Sequence, residues 1–395
     1  MGTRAGVGTS SHHNPRVAAK EAVALAIERA GIVQPSFVLV FSAVGYEQPV
    51  LLESIRALTG RVPLCGCSGE GVISQRLADE SNFVVGVMVV ESDELRMVTG
   101  HATGLLANPE QVGASLATSL ASALGDDAKA LLLFADGITC NYDRLMAGLY
   151  DRLPEAQHLP ILGGLSGENH RMLETFQYCN DAVVRDGISW ALLSGSAQLA
   201  LAINHGSLPI GSERVITRCQ GNQIQAIDGQ PALTVIKEYV SDADVADSGN
   251  AIIPLALGFA LPATQGGEPP LLLRPIRSTD SATGTIFLPS EVREGQRFWM
   301  ARRDTEAVGA GLLRVRDSIA TQLGGRTPKL VLQFDCASRG KLLLREEQKL
   351  TFLRRLQQGI SSTAPWLGVY TYGEFGPVAE RNDFHSYSVV LAAFY

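Results

Sequence analysis

The sequence predicts a mixed α/β protein with two domains whose sheets are flanked by helices. Its 395 residues exceed twice the length of a typical ~150-residue domain, and 46% of them are apolar, which is enough for a sizeable core. Short apolar runs of strand length alternate with longer segments in which apolar residues recur at helical spacing. Runs such as 83–90 are apolar on both faces, which is compatible with two sheets packed face to face in an αββα sandwich.

The elements of the N-terminal half follow from apolar spacing and from residues that end helices. Residues 15–31 are predicted to form a helix that Gly31 ends, and 36–42 (SFVLVFS) a buried strand. Further helices are predicted over 47–58, 109–124 and 141–153, and further strands over 63–67, 82–90, 95–99, 128–135 and 160–164. We expect the strands at 82–90 and 95–99 to be consecutive strands of a meander. Turn pairs such as Asn180-Asp181 indicate antiparallel strands over 176–204.

The character of the chain changes near residues 206–228, where Gly221-Asn222 and Asp228-Gly229 mark turns. We therefore divide the chain into an N-terminal leader and helix (1–34), a first domain (35–220) and a second domain (221–395). In the second domain the predicted helices are 231–240, 305–323 and 345–358, and the predicted strands are 329–334, 365–370 and 386–394. Asp304 is placed to cap the helix at 305–323. Residues 241–250 and 265–270 are predicted to be polar, loop-like segments.

One pattern recurs three times. The apolar runs FVLVFS, LLLFAD and LVLQFD are each followed by a helix, a proline, a second apolar strand and a Gly-Glu pair that ends in Glu70, Glu168 or Glu374. A helical connection implies that the two strands of each unit are parallel and joined by a right-handed crossover. Loops after such strands gather at the carboxyl edge of a sheet, where open α/β folds bind ligands. The alternative is that each Gly-Glu pair only ends a strand and turns the chain.

Composition excludes several classes of function. The net charge is −7, which argues against a broad phosphate-binding face and therefore against nucleic acid. The six cysteines are scattered without a CxxC pair, as in proteins of a reducing compartment. Residues 1–14 lack the apolar run of a secretory signal, and the most apolar stretches are too short to span a membrane as helices. We therefore expect a soluble cytoplasmic protein.

Metal and catalytic motifs are few. Cys65 and Cys67 could offer two thiolates to a metal, but no second Cys/His pair stands at matching spacing, and small residues at a strand end are the simpler interpretation. The chain has no dinucleotide-binding GxGxxG, no P-loop and no GxSxG nucleophile elbow. Of seven histidines, His170 and His205 are the candidate axial ligands for a haem iron, and a surface or hydrogen-bonded role is the alternative for each.

Two residues of the segment 335–340 (DCASRG) are candidates for chemistry, because this segment follows a buried strand. Cys336 could be a thiol of lowered pKa beside an arginine. Arg339 could hold a carboxylate or phosphate with its paired donors. The alternatives are a half-buried cysteine in a turn, and an arginine that pairs with Asp335 or Glu374.

The sequence resembles the FIST family. The resemblance covers roughly residues 35–390 and is carried by the three Gly-Glu loops, by NHGSLPIG at 204–211, by FLPS at 287–290 with Glu294-Gly295, and by FDCASRG at 334–340. The most specific signal is Cys-x-x-Arg-Gly followed by Tyr-Gly-Glu-x-Gly-Pro, which ends at Pro377. By this resemblance, 35–220 is a FIST N-like domain and 221–395 a FIST C-like domain.

The resemblance implies a sensory module that binds a small ligand such as an amino acid. One branch of the family resembles haem proteins that sense nitric oxide and regulate histidine kinases, and another joins FIST domains to an F-box. We expect neither an F-box-like leader nor an output domain in this chain, so the signal would leave through a separate partner such as a histidine kinase.

The leading hypothesis is therefore a non-enzymatic sensor whose ligand lies among the carboxyl-edge loops. Arg339 would take the carboxylate of an amino-acid-like ligand and Glu374 its ammonium group. The predicted ligand-binding residues are Ser68, Glu70, Ser166, Glu168, Cys336, Arg339, Tyr372 and Glu374. The alternatives are a haem-binding nitric-oxide sensor that uses His170 or His205, and an enzyme that uses Cys336 as nucleophile or a pair of glutamates as acid and base.

Overall fold

The structure is a computed structural model and describes residues 2–240, 252–261, 271–378 and 381–395. The predicted polar segments 241–250 and 265–270 both lie entirely outside the described residues. Within the described ranges the chain is mixed α/β, as predicted, and its strands form four sheets. Most of the chain consists of three repeats of one strand and helix order, and the third repeat carries an insertion.

The first two repeats have the same order of elements. Repeat 1 comprises β1 (Arg4–Ser10), α1 (Pro15–Ala30), β2 (Phe37–Ser42), α2 (Gln48–Leu58), β3 (Leu64–Ser68), β4 (Val72–Ser74), β5 (Leu77–Asp79) and β6 (Val85–Glu91). Repeat 2 comprises β7 (Leu95–Thr103), α3 (Pro109–Ala121), β8 (Ala128–Ala135), α4 (Tyr142–Arg152), β9 (Ile161–Leu165), β10 (Gln177–Cys179), β11 (Ala182–Val184) and β12 (Gly187–Gly195).

Repeat 3 begins with one strand and is then interrupted. After β13 (Leu199–Asn204), the insertion comprises β14 (Leu208–Gln220), β15 (Gln223–Ile227), β16 (Gln230–Pro231), α5 (Ala232–Ile236), β17 (Ile252–Ala260), β18 (Leu271–Ile276), β19 (Ser278–Asp280), β20 (Thr285–Phe287) and β21 (Arg297–Arg302). The repeat then resumes with α6 (Thr305–Leu323), β22 (Leu330–Cys336), α7 (Glu346–Ile360), β23 (Trp366–Thr371), β24 (Glu374–Val378), β25 (Arg381–His385) and β26 (Val389–Phe394). The predicted boundary at residue 220 falls at the end of β14 and stays a prediction.

The three strand–helix–strand units predicted from the recurring pattern are present. In each repeat the two strands of the unit are parallel neighbours: β2 with β3, β8 with β9, and β22 with β23. The cap expected for α6 is also present, because the Asp304 side chain accepts a hydrogen bond from the backbone N–H of Ala307 at 2.8 Å. Gly31 ends α1 in the left-handed conformation, with φ of 58°.

Each repeat lends a hairpin to the sheet of another. Sheet 1 has the order β1-β6-β2-β3-β10-β11, sheet 2 β7-β12-β8-β9-β24-β25, and sheet 3 β13-β26-β22-β23-β4-β5. The hairpin β10–β11 of repeat 2 therefore completes the sheet of repeat 1, β24–β25 of repeat 3 completes that of repeat 2, and β4–β5 of repeat 1 completes that of repeat 3. This cyclic exchange ties the three repeats into one structural unit. The insertion forms sheet 4, which is built from β14 to β21.

The inner faces of sheets 1, 2 and 3 share one hydrophobic core. At its centre lie Phe41, Phe134 and Phe334, which belong to the runs FVLVFS, LLLFAD and LVLQFD respectively. Their ring centroids are 5.4, 6.2 and 5.8 Å apart in the three pairs, and the rings are edge-on or tilted to one another. Three sheets thus meet where the sequence suggested two packed face to face.

The outer face of each of these sheets is covered by a pair of helices. Helices α1 and α2 cover sheet 1, α3 and α4 cover sheet 2, and α6 and α7 cover sheet 3. The strands are therefore buried on both faces, which explains why runs such as 83–90 carry apolar residues without alternation.

Two expectations about the N-terminal repeat are wrong. The strands β6 and β7 do not form a meander, because β6 pairs with β1 and β2 while β7 pairs with β12 in another sheet. The leader also contains β1, which the Gly-rich sequence RAGVGTS did not indicate. Its glycines let α1 approach: a Cβ on Gly6 would lie 1.9 Å from the carbonyl oxygen of Ala26, and one on Gly8 2.0 Å from that of Ala22.

Candidate functional site

The three Gly-Glu loops meet at one end of the shared core, as the parallel strands before them require. The backbone N–H of Gly167 donates to the carbonyl of Ser68 at 3.1 Å, and that of Tyr372 donates to the carbonyl of Leu165 at 2.9 Å. The N–H of Glu70 donates to the carbonyl of Tyr370 at 3.0 Å. Each loop is thus hydrogen-bonded to a loop of another repeat.

The two serines of these loops have structural roles. Ser68 is fully buried; its Oγ donates to the carbonyl of Gly167 at 2.8 Å and accepts from the backbone N–H of Phe176 at 3.0 Å. Ser166 is also fully buried, and its Oγ lies 3.1 Å from the side-chain amide of Gln177. Both hydroxyls are therefore engaged within the protein.

Glu70, Glu168, His170 and Tyr372 form a second group around the same loops. Glu70 Oε1 accepts from the Tyr372 hydroxyl at 2.6 Å and from the backbone N–H of His170 at 2.8 Å. Glu168 Oε1 lies 3.4 Å from the same hydroxyl and also accepts from the backbone N–H of Met172. The His170 ring stacks on Tyr372, with centroids 5.6 Å apart, and its Nε2 lies 3.3 Å from Glu70 Oε2. The two carboxylates therefore hold the tyrosine and the loop after Glu168 in place.

Glu374 and Arg339 are engaged inside the protein. Glu374 is fully buried and accepts from the Ser388 hydroxyl at 2.7 Å and from the Thr371 hydroxyl at 3.0 Å. Burial raises the pKa of its carboxyl group to about 8. Arg339 is 2% exposed, and its Nε donates to Asp335 Oδ1 at 2.7 Å. The pairing with Asp335, the alternative interpretation of Arg339, is the contact that the structure contains.

A cavity of about 520 Å³ opens beside this group. It is lined by His170, Met172, Pro275, Ile276, Arg277, Cys336, Ala337, Ser338, Leu342, Thr371, Tyr372, Ser386 and Tyr387. We call it the Arg277 cavity. Two predicted ligand residues, Cys336 and Tyr372, line it together with the haem-ligand candidate His170; Ser68, Glu70, Ser166, Glu168, Arg339 and Glu374 do not.

Arg277 is the cationic group of this cavity that the sequence analysis missed. It follows β18 in the insertion, and its guanidinium has no hydrogen bond or ion pair with any side chain in the described ranges. The residue is accessible through the cavity, yet the surrounding protein desolvates the guanidinium and lowers its pKa. The titratable groups that interact electrostatically with its guanidinium include Cys336, Tyr387, Cys140 and Tyr372. None of these four carries a carboxylate. Sheet 4 thus brings an unpaired cation to the edge of sheet 3.

Neighbouring contacts fix the walls of the cavity. The guanidinium carbon of Arg303 lies 3.8 Å from the ring centroid of Tyr387, and its Nη2 donates to the carbonyl of Ser338. Ser386 is 4% exposed, and its Oγ has no hydrogen-bond partner among the described residues. Among its described lining residues, the cavity therefore presents the Arg277 guanidinium and the buried Ser386 hydroxyl beside the rings of Tyr372 and Tyr387.

Cys336 lies in this wall as a neutral thiol. It is 4% exposed, and burial raises the pKa of its thiol to about 12, with the nearby carboxyl of Glu374 acting in the same direction. Cys65 and Cys67 are buried within β3, and burial raises the pKa of Cys65 to about 12. In the described part of the chain no three His, Cys, Asp or Glu side chains are grouped so as to hold a metal ion.

The two candidate haem ligands differ in their surroundings. His205 does not line the cavity; its Nδ1 accepts from the backbone N–H of Ser207 at 2.9 Å, and burial lowers its pKa to about 4. His170 lines the cavity and has the Glu70 carboxylate behind its Nε2, an arrangement common for metal-ligating histidines. One axial ligand, His170, is therefore compatible with a haem in this cavity.

The fold is thus an α/β core of three strand-exchanging repeats, and a cavity lined in part by Arg277 opens at the end where the Gly-Glu loops meet. The chain belongs to the FIST family: the FIST N domain model matches residues 36–230 and the FIST C domain model residues 232–377. FIST domains are sensory domains, which supports a sensory role for this protein. Among the helices described, none has the length and apolar character needed to cross a membrane.

Similar proteins add little about function. An uncharacterized protein of Mycobacterium tuberculosis is 26% identical over 400 residues, which is 99% of each chain, and one of Mycobacterium bovis is 24% identical over 401 residues, which is 99% of this chain and 98% of the relative. A chorismatase structure is 11% identical with a TM-score of 0.35, covering 100% of this chain and 99% of its own. A cyanuric acid hydrolase structure from A. caulinodans is 11% identical with a TM-score of 0.33, covering 99% of both chains.

Proposed function

We propose that this protein is a cytoplasmic, non-enzymatic sensor that binds a small carboxylate ligand in the Arg277 cavity and signals through a separate protein such as a histidine kinase. The observation that carries the proposal is the position of the exposed Arg277 guanidinium in a cavity wall whose described lining residues include no aspartate or glutamate. A guanidinium in the wall of a cavity can hold a carboxylate through paired charge-assisted hydrogen bonds, which fix the orientation of the ligand. In this proposal the carboxylate of the ligand binds Arg277 and not Arg339, which the sequence had indicated.

A non-enzymatic role is supported by the state of the candidate catalytic groups. A thiol whose pKa is raised to about 12 is a poor nucleophile at neutral pH. The glutamates that could act as acid and base do not line the cavity, and Glu70 and Glu374 are fully buried and accept hydrogen bonds from neighbouring side chains. The cavity is therefore better equipped to bind a ligand than to transform one.

A signalling partner is supported by the surface at the mouth of the cavity. Met172 and Leu342, which line the cavity, expose 52% and 44% of their surface, and Leu173, the next residue after Met172, exposes 65%. Exposed apolar side chains that cluster at one place mark surfaces used for contact. Since Met172 and Leu342 also line the cavity, a bound ligand would change the surface that a partner contacts.

Replacing Arg277 by methionine is expected to weaken binding of a carboxylate ligand by at least about 30-fold, because the carboxylate of the ligand loses a paired, charge-assisted contact worth roughly 2 kcal/mol or more. The ligand is first sought by thermal shift with amino acids and simple carboxylates, and its affinity is then measured by calorimetry. Arg302→Met, which removes an exposed arginine at the end of β21, is the matched control and should bind as the unchanged protein does. The proposal fails if no carboxylate binds, or if Arg277→Met binds as tightly as Arg302→Met.

The haem alternative is favoured by one observation, the position of His170 in the cavity wall with Glu70 behind it. A haem iron would supply a site for a diatomic gas such as nitric oxide. Purified protein reconstituted with haem is expected to show a Soret band, and His170→Ala should remove it. The control His101→Ala, which replaces an exposed histidine on β7, should retain the band. A protein that takes up no haem, or one whose spectrum is unchanged by His170→Ala, would contradict this alternative.

A further inference from the structure

We infer that the Arg277 cavity selects a carboxylate with an apolar body and without an ammonium group, in preference to an amino acid. This inference rests on the proposed function and narrows the class of ligand. It follows from three properties of the cavity wall: one unpaired cation, the lack of an acidic partner for an ammonium group, and apolar surface on both sides.

Arg277 and Ser386 are the two residues of the wall that would bind the anionic end of the ligand. Arg277 provides paired donors in a fixed plane, which matches the two oxygens of a carboxylate. Ser386 lines the same cavity, is 4% exposed, and has an Oγ without a hydrogen-bond partner among the described residues. A carboxylate could therefore bind the exposed Arg277 guanidinium and also give the buried Ser386 hydroxyl the hydrogen-bond partner that the described residues do not supply.

The described wall offers no carboxylate to an ammonium group. The described residues that line the cavity include no aspartate or glutamate. Glu374, the partner predicted for an ammonium, is fully buried behind Thr371 and Ser388, and Glu70 accepts from the Tyr372 hydroxyl. An ammonium group in the cavity would lose its hydration and also lie close to the positive charge of Arg277.

The remaining wall is apolar or aromatic. Met172, Pro275, Ile276 and Leu342 contribute aliphatic surface. The ring of Tyr372 is held by its hydroxyl bond to Glu70, while the ring of Tyr387 lies against the Arg303 guanidinium. A volume of about 520 Å³ is in the range of small-molecule sites and leaves room for a ring or a branched chain beside the carboxylate.

The test compares three probes that share one phenylpropyl skeleton: 3-phenylpropanoate, L-phenylalanine and 3-phenylpropanamide. Calorimetry on the full chain is expected to show that 3-phenylpropanoate binds at least about tenfold more tightly than either of the others, because phenylalanine adds an unpaired ammonium and the amide lacks the anion. In Arg277→Met the preference for the acid over the amide should disappear, while Arg302→Met should keep it. Circular dichroism establishes that both variants are folded, and the comparison of probes on the unchanged protein needs no variant.

The outcomes separate this inference from the proposed function. If phenylalanine binds as tightly as 3-phenylpropanoate, the cavity accepts an ammonium group and the inference is wrong, although a carboxylate sensor remains. If only small polar carboxylates such as malonate bind in an Arg277-dependent way, the assignment of an apolar body is wrong. If no carboxylate binds at all, the proposed function itself fails.

Discussion

Replacing Arg339 by methionine is expected to lower the free energy of unfolding by about 3–5 kcal/mol, because it leaves the buried carboxylate of Asp335 without its cation. The two side chains are 2% and 8% exposed and meet at 2.7 Å. Asp335 Oδ2 also accepts from the Gln333 side chain at 2.9 Å, and Arg339 Nη1 donates to the carbonyl of His205 at 3.2 Å. The pair thus joins β22 to the start of the insertion. Urea unfolding followed by tryptophan fluorescence measures the change.

Two further variants separate the loss of the pair from a general effect of losing an arginine. Arg297→Met removes an arginine whose pairing with Glu213 is exposed, and should change stability by only about 0–1 kcal/mol. Adding Asp335→Asn to Arg339→Met should recover part of the loss, because the lone buried charge is then gone. If Arg339→Met is instead as stable as Arg297→Met but loses ligand affinity, Arg339 is the ligand residue that the sequence predicted.

Replacing Phe334 by alanine is expected to lower the free energy of unfolding by about 3–5 kcal/mol, the usual cost of opening a cavity of this size in a packed core. Phe41→Ala and Phe134→Ala should cost similar amounts, because each of the three rings is packed against the other two at the centre of the shared core. All three side chains are fully buried. The midpoint of urea unfolding, measured for the three variants side by side, checks the equality.

The matched control is Phe352→Ala on α7, where the ring is only partly buried against α6. Its cost should be clearly smaller than that of the three central phenylalanines, because less apolar surface is lost and the site can collapse or hydrate. A large loss for one of the three central variants and a small loss for the other two would contradict a core shared equally by three sheets.

Much of the fold was predictable because it depends on local patterns. The runs FVLVFS, LLLFAD and LVLQFD are strands, each is followed by a helix and a parallel strand, and the three Gly-Glu loops meet as expected. The exchange of hairpins was not predictable, because a three-residue strand such as β10 carries no signal about which sheet it joins. The strands β6 and β7 were wrongly paired, because adjacency in the sequence does not decide which sheet a strand joins.

The candidate site was predictable only in part. Cys336, Tyr372 and His170 line the cavity because they follow strands whose ends the repeat pattern located. Arg277 and Ser386 carried no signal, since Arg277 belongs to the insertion and Ser386 precedes the last strand. Arg339 and Arg277 can both bind a carboxylate. The sequence offered no means to decide which of the two arginines forms an ion pair with a carboxylate of the protein itself.

By itself, the sequence determined the alternation of strands and helices and the three parallel units, because apolar periodicity and turn residues act over a few residues. Its motifs also carried the resemblance to the FIST family, to which the chain belongs. The tertiary structure alone decided which charges are paired. It places Asp335 2.7 Å from the side chain of Arg339, while Arg277 faces Cys336, Tyr372 and Tyr387 without an acid. An ion pair needs contact within a few ångströms, and such contact between residues of different repeats and an insertion is set by how the sheets assemble.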